Sequence, residues 1–193
     1  SVSEDIDVLF LCLGYGEAKK WLTENSIDQK TKIIDLSQDH RIGDLGFVYG
    51  LPELNKEAIK TAKKIANPGC FATSIQLALL PLAANGLLEK DVHISATTGS
   101  TGAGQNLSET SHYSWRQNNL SVYKAFEHQH LAEIGQSIKQ LQSDFDSDLN
   151  FVPQRGGFTR GIFANVYTKC NKSIEEESKY FIESVLSSID KEK

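Results

Sequence analysis

The sequence predicts a chain of mixed character, a parallel α/β segment followed by an α+β region in which helices pack on a mixed or antiparallel sheet. Two observations point there. Near the start, two short apolar runs flank a stretch of helix formers, and beyond residue 46 strands and helices alternate less regularly, broken by glycine-rich loops. The size and composition agree: 193 residues, 39% hydrophobic and 23% charged, about one large domain or two small ones with enough apolar surface for a core.

Residues 6–13 (IDVLFLCL) read as a buried strand stopped by Gly14 and Gly16. Residues 17–24 carry Ala18, Trp21 and Leu22 at helical spacing, and 32–36 (KIIDL) form a second buried strand. A strand, a crossover helix and a strand are expected to be parallel and right-handed. Parallel strands need cover on both faces, so the unit is expected to belong to a larger sheet. The stretch 39–52 is loop-like, with Gly43, Gly46 and Gly50. Residues 53–62 read as a short helix, Ile65 and Ala66 as a brief strand, Asn67-Pro68-Gly69 as a turn, and 71–84 as an apolar helix. A strand over 92–98 leads into the glycine-rich loop 99–104. Residues 130–141 form an amphipathic helix with Leu131, Ile134, Ile138 and Leu141 on one stripe. Phe151 with Val152, and 161–169, are strands, and Ser173-Ile174-Glu175-Glu176 is a capping-box start to a last helix running toward Ile189.

Lys and Arg number 20 against 25 Asp and Glu, a net charge of −5. That balance offers nothing to draw a polyanion, so no nucleic-acid partner is expected. No apolar run reaches the roughly 20 residues needed to span a bilayer, and no membrane partner is expected. The start lacks the basic region of a signal peptide. Cys12, Cys70 and Cys170 are odd in number and scattered. They suggest neither a disulfide framework nor a metal site, and they fit a reducing cytoplasm. The sequence holds no methionine and drops straight into an apolar strand, so it is expected to be part of a longer chain.

Cys70 is the most informative residue. Pro68 and Gly69 impose a tight turn and a helix opens at once. A sulfur there faces unpaired N–H groups and the positive end of the helix dipole, a setting that favours thiolate. The same N–H groups would meet an oxyanion forming on a carbonyl under attack. The competing reading is an inert cysteine packed behind a turn. A thiolate nucleophile needs a proton-transfer partner, and there are five histidines: His40, His93, His112, His128 and His130. His93 sits among apolar strand residues and reads as structural, and His40 follows a loop and reads as a surface group. His128-Gln129-His130 enters a helix with Glu133 one turn on, a candidate to hold a ring N–H or contact substrate. The alternative is two solvated histidines and a glutamate favoured by the helix dipole. Arg155 and Arg160 bracket Gly156-Gly157-Phe158-Thr159, suited to a carboxylate or phosphate, or else a pair of exposed arginines on a hairpin. The loop 99–104 offers N–H groups to an anion but is neither a Walker loop nor a G-x-G-x-x-G fingerprint.

Taken together, Ile65-Ala66-Asn67-Pro68-Gly69-Cys70-Phe71-Ala72-Thr73 resembles the active-site signature of the N-acetyl-gamma-glutamyl-phosphate reductases, relatives of aspartate-semialdehyde dehydrogenase. The resemblance continues through Asp35-Leu36-Ser37-Gln38-Asp39-His40-Arg41, Tyr49-Gly50-Leu51-Pro52-Glu53, Thr98 to Gly104, His128 to Ile134, and Pro153 to Gly161. It implies that 1–45 is the rear part of a Rossmann-type cofactor domain and that 46–193 is a catalytic and dimerisation domain. It implies an NADPH-dependent reduction of an acyl phosphate, N-acetylglutamyl 5-phosphate, to the semialdehyde through a cysteine thioester. The nucleophile would be Cys70 and the general base His128. Tyr123, His130, Glu133, Arg155, Arg160 and Ser100 would face substrate, and Gly14, Gly16, Ser37 and Gly102 would face cofactor. A homo-oligomer in the cytoplasm is implied. A related aspartate-semialdehyde or N-acetyl-aminoadipyl-phosphate enzyme, or a non-catalytic binding or assembly module, are the alternatives. Ser74, Gln129 and Ala132 depart from the family pattern, whose glycine-rich fingerprint is also not found in this sequence.

Overall fold

The computed structural model of the chain describes residues 6–104 and 106–170; the helix expected from Ser173 lies outside them. These residues form two units. One comprises the described residues up to Ser74 together with Gln129–Ser137, the other Ile75–His128 together with the described residues from Ile138 onward.

The first unit contains β1 (Val8–Leu11), α1 (Glu17–Glu24), β2 (Lys32–Asp35), β3 (Val48–Tyr49), α2 (Pro52–Thr61) and β4 (Lys64–Ala66). Its sheet has the order β1-β2-β4-β3, with every neighbouring pair parallel. Val8 stands opposite Lys32 and Leu11 opposite Asp35, so the expected strand–helix–strand unit is present. Its core gathers Leu11, Ala18, Ile33, Phe47 and Ala66, with Leu9, Trp21, Leu22 and Ile27 packed against it. Two details differ from the sequence reading. The strand read as buried is buried on one face only. Leu9 and Leu11 turn to the core, while Val8 and Phe10, on the other pleat face of this edge strand, are exposed, Phe10 to 56%. The stretch 39–52, read as loop, contains β3, which joins the sheet by pairing Val48 with Ile65 and Tyr49 with Ala66. The start of α2 is set by Pro52, with Glu53 in its first turn and Lys60 in its last, each matching the helix dipole.

Helix α3 (Cys70–Ala84) begins in this unit and runs on into the other. The second unit adds β5 (Val92–Thr98), α4 (Tyr113–Arg116), β6 (Ser121–Val122), the later turns of α5 (His130–Leu141), β7 (Leu149–Arg155) and β8 (Ile162–Tyr167). Its sheet is mixed, in the order β6-β7-β5-β8. β7 runs parallel to β5, β8 antiparallel to it, and β6 antiparallel to β7. The strands carrying Arg155 and following Arg160 therefore do not form a hairpin, because β5 lies between them. The connection passes over the end of β5, where the Gly156 N–H donates to Thr98 O (2.9 Å) and the Gly99 N–H to Gly161 O (3.0 Å). Gly99 is needed there, since a Cβ would lie 2.5 Å from Thr159 O. Along β5, Val92, Ile94 and Ala96 are buried. His93, read as structural among apolar neighbours, is exposed on the opposite face and stacks on Tyr167 with ring centroids 5.4 Å apart. Among the described residues no helix is long and apolar enough to cross a membrane.

Candidate active site

The turn Asn67-Pro68-Gly69 leaves β4 and delivers Cys70 to the first position of α3. Asn67 donates its N–H to Asp35 O at 2.8 Å, tying the turn to the end of β2. Gly69 is the N-cap, and its carbonyl accepts both the Thr73 N–H (2.8 Å) and the Thr73 hydroxyl (2.9 Å). The Gly69 N–H, in turn, donates to Glu133 Oε2 at 2.9 Å. In a capping box the third residue of the helix reaches back to that amide. Here the third residue is Ala72, and a carboxylate from α5 takes its place. No side chain fits at 69, because a Cβ would meet the His130 ring and stand 2.7 Å from Arg41 Nη1. Cys70 itself is exposed, as is Cys12, and neither they nor Cys170 form a disulfide.

Glu133 is 3% exposed and both its oxygens are engaged. Oε1 accepts from Arg41 Nη1 at 3.0 Å, and Oε2 accepts from the Tyr49 hydroxyl at 2.9 Å besides the Gly69 amide. Arg41 also donates Nη2 to Leu36 O at 3.3 Å. His130 is buried, its Nε2 3.8 Å from Glu133 Oε1 and its ring edge-on to Phe71.

The loops at the C-terminal ends of β1 and β2 border a cleft of about 700 Å³ whose lining includes Tyr15, Lys19, Asp39, Arg41, Gln129 and Glu133. The Asp39 carboxylate closes the start of α1, accepting from the N–H groups of Gly16 (2.7 Å), Ala18 (3.1 Å) and Lys19 (3.2 Å). The Ser37 hydroxyl donates to Asp35 Oδ2 and accepts from the Asp39 N–H. Beside it His40, expected at the surface, has no exposed area. Its Nδ1 lies 2.6 Å from Asp35 Oδ2 and its ring stacks on Phe47 at 4.1 Å. A buried partner five residues upstream converts a loop histidine into a core one. At the cleft's rim the Lys19 ammonium meets Asp44 at 2.5 Å. This bond raises the Lys19 pKa and holds the Asp44 carboxyl below the usual range.

In the second unit the structure brings three expected residues together. His128, 4% exposed, lies edge-on between Phe151 and Tyr123, with ring centroids 5.3 and 5.8 Å away. The Arg155 guanidinium sits over the Tyr123 ring, Cζ 4.7 Å from its centre. Arg116 supports this group from below the surface. Its Nη1 donates to Arg155 O at 2.6 Å, its Nε and Nη2 to Thr110 O, and Nη2 also to Ser121 Oγ. Burial, and then the neighbouring Arg155 charge, lower its pKa below the ordinary guanidinium value. Ser100 opens a short 3-10 turn (Ser100–Ala103) with its N–H on Phe158 O at 2.8 Å, and Gly102 packs there with no room for a Cβ beside Thr98. Arg160 is exposed. The sequence reading gave no role to Arg41, Tyr49 or Arg116. The partners that give them their place, Glu133 for Arg41 and Tyr49 and the Arg155 carbonyl for Arg116, are distant in the chain, and no local spacing announces them. Among the described residues no cluster of His, Cys, Asp and Glu is arranged to hold a metal ion.

Comparison with known proteins gives a consistent picture. Residues 1–62 match the semialdehyde dehydrogenase NAD binding domain and residues 70–185 the semialdehyde dehydrogenase dimerisation domain. The N-acetyl-gamma-glutamyl-phosphate reductase of Christiangramia forsetii is 59% identical over 184 residues, covering 94% of this chain and 57% of its own. That of Flavobacterium johnsoniae is 61% identical over 181 residues, 91% of this chain and 56% of its own. The chain thus spans somewhat over half the length of these relatives. Among solved structures, aspartate semialdehyde dehydrogenase II of Vibrio cholerae, complexed with ASA, superposes with a TM-score of 0.67 at 16% identity, over 93% of this chain and 59% of that one. That likeness is one of fold, a Rossmann-type segment joined to a mixed-sheet α+β region. With matched segments covering most of its length, the chain belongs to the semialdehyde dehydrogenase family.

Proposed function

We propose that this chain is part of an N-acetyl-gamma-glutamyl-phosphate reductase, an NADP-dependent oxidoreductase of arginine biosynthesis. It would convert N-acetylglutamyl 5-phosphate to N-acetylglutamate 5-semialdehyde and phosphate. The observation that carries this reading is Cys70, an exposed thiol on the first residue of α3 behind a turn held by buried hydrogen bonds. Identity of 59–61% to reductases of that name supports this substrate over the aspartate and aminoadipate analogues.

The Cys70 sulfur attacks the acyl carbonyl. A C–S bond forms, the bond from that carbon to the phosphate oxygen breaks, and phosphate leaves with the electron pair. Peptide dipoles at the start of α3 favour the negative charge that develops on the carbonyl oxygen during attack. NADPH, when bound, supplies the hydride that reduces the thioester carbon. His128 gives a proton to the oxygen on that carbon and takes it back as the C–S bond breaks, releasing the aldehyde and restoring the thiolate. Tyr123, His130, Arg155, Arg160 and Ser100 are assigned to the substrate side, with the arginines suited to its carboxylate. The residues present fit part of a dinucleotide. Around Gly14 nothing stands within 4 Å of where a Cβ would be, which leaves room at the end of β1. Gly14 and Gly16 are assigned to cofactor contact. Ser37 acts from beneath, since its hydroxyl is committed to Asp35 and Asp39, and Gly102 through the packing of its turn. We assign domain limits of 1–45 and 46–193, a cytoplasmic setting and a homo-oligomer, the last supported by the match to a dimerisation domain.

The test is Cys70→Ser in the full-length protein. NADPH oxidation and the mass of an acyl adduct on the enzyme should both vanish, and substantial retained activity would end the assignment. Turnover on N-acetylglutamyl, aspartyl and N-acetyl-aminoadipyl phosphates then decides the substrate.

A further inference from the structure

Glu133 was expected to face substrate, but its surroundings assign it elsewhere. We infer that Arg41 and Tyr49 are positioning residues that act through Glu133 on the amide of Gly69, and so set the turn that presents Cys70. The inference rests on Cys70 being the nucleophile.

A carboxylate accepts hydrogen bonds and donates none. The donors filling Glu133 are a guanidinium, a phenol and the backbone N–H immediately before Cys70. With Glu133 3% and Arg41 9% exposed, little water reaches either group to replace a lost partner. Each partner also has a fixed origin. Arg41 is held through Nη2 on the carbonyl of Leu36, just past β2, and its own carbonyl accepts from Gln136 Nε2 on α5 at 3.4 Å. Tyr49 ends β3, and its carbonyl accepts from Asn55 Nδ2 at 3.0 Å. The carboxylate is therefore aimed from the turn after β2 and from the end of β3, and the N-cap amide of α3 follows it. Glu133 borders the cleft, yet it is 3% exposed and both its oxygens already accept from protein donors, which ties the carboxylate to the turn before Cys70. Misplacing a nucleophile by about 1 Å is enough to cost ~100-fold in rate.

Tyr49→Phe and Arg41→Gln, with Arg41→Lys as the conservative variant, test this in the full-length protein. Steady-state kinetics give kcat and KM for the acyl phosphate, and iodoacetamide labelling gives the reactivity of Cys70 without cofactor or substrate. The expected result is a kcat about 10-fold lower for Tyr49→Phe and about 100-fold lower for Arg41→Gln, partly restored in Arg41→Lys. KM should stay within about twofold and alkylation should slow in step with kcat. If Arg41→Gln fails to fold, Tyr49→Phe decides alone, since it removes one hydroxyl and no charge. Parent-like kcat and labelling in Tyr49→Phe would overturn the inference. So would a rise in KM at constant kcat, the mark of a substrate contact. An active Cys70→Ser would instead defeat the nucleophile assignment.

Discussion

Replacing Glu133 by glutamine changes no shape and one charge, so it isolates what the carboxylate does. The amide can turn its oxygen toward Arg41 or toward the Tyr49–Gly69 side, but not both. The cheaper choice keeps the oxygen on Arg41, 3.0 Å away, and swings the NH₂ toward Tyr49, whose hydroxyl can rotate to accept. The Gly69 N–H, now facing a donor at about its former 2.9 Å, is then left without an acceptor. An orphaned buried amide costs about 1–3 kcal/mol. The Arg41 cation also loses its counter-charge, which for full loss of a buried partner would cost about 3–5 kcal/mol. A neutral oxygen still accepts from it, so about half of that applies here, and the total is about 2.5–5.5 kcal/mol. At roughly 2–4 °C per kcal/mol for a chain of this size, the melting point should fall by about 5–22 °C. Trp21, packed against the core of the same unit, makes tryptophan fluorescence a local probe of the unfolding. A loss below about 1 kcal/mol would show that the three donors do not converge on this carboxylate, and the account of the turn would fail.

Other changes probe separate parts. Asp39→Ala strips the acceptor from three N–H groups at the start of α1 and should cost about 1–2 kcal/mol in urea unfolding, whereas Asp39→Asn should recover part of it. The Asp44 carboxyl, held low by its hydrogen bond from Lys19, binds its proton more weakly folded than unfolded. Its contribution is thus complete above the usual carboxylate range and fades as pH falls through the lower folded value. The stability gap between parent and Asp44→Asn should therefore close in acid, and high salt should narrow it at neutral pH. Arg116→Lys keeps the charge but cannot reach Thr110, Ser121 and Arg155 at once. A loss of about 2 kcal/mol by calorimetry, with a raised KM for the acyl phosphate, is expected as Arg155 loosens.

Most regular elements were legible because their signals are local. The apolar runs around residues 8–11 and 32–35, the helical spacing of Ala18, Trp21 and Leu22, and the stripe on α5 each define an element within one window. The alternation of Val92-His93-Ile94-Ser95-Ala96-Thr97 also carried the information that His93 faces away from the core, although its apolar neighbours suggested otherwise. The two-residue strands β3 and β6 are too short for a period to register and exist only because β4 and β7 offer an edge. The glycine-rich link after Arg155 looks like a hairpin because nothing local reveals that β5 intervenes. Of the candidate site, Cys70 at a helix start could be read from Pro68 and Gly69. The partners that hold the turn could not, since the Glu133 contacts join residues 64, 84 and 92 positions apart.

That separation bears on how the protein is made. As the chain leaves the ribosome, β1 to β4 and the start of α3 are available long before residue 133 emerges, so the sulfur travels for some time on an unlatched bend. Closing a loop of this length is slow compared with forming the helix that follows it. The turn before Cys70 is then among the last features to be fixed, and a nascent chain stalled before α5 would carry it without the carboxylate that holds the Gly69 amide.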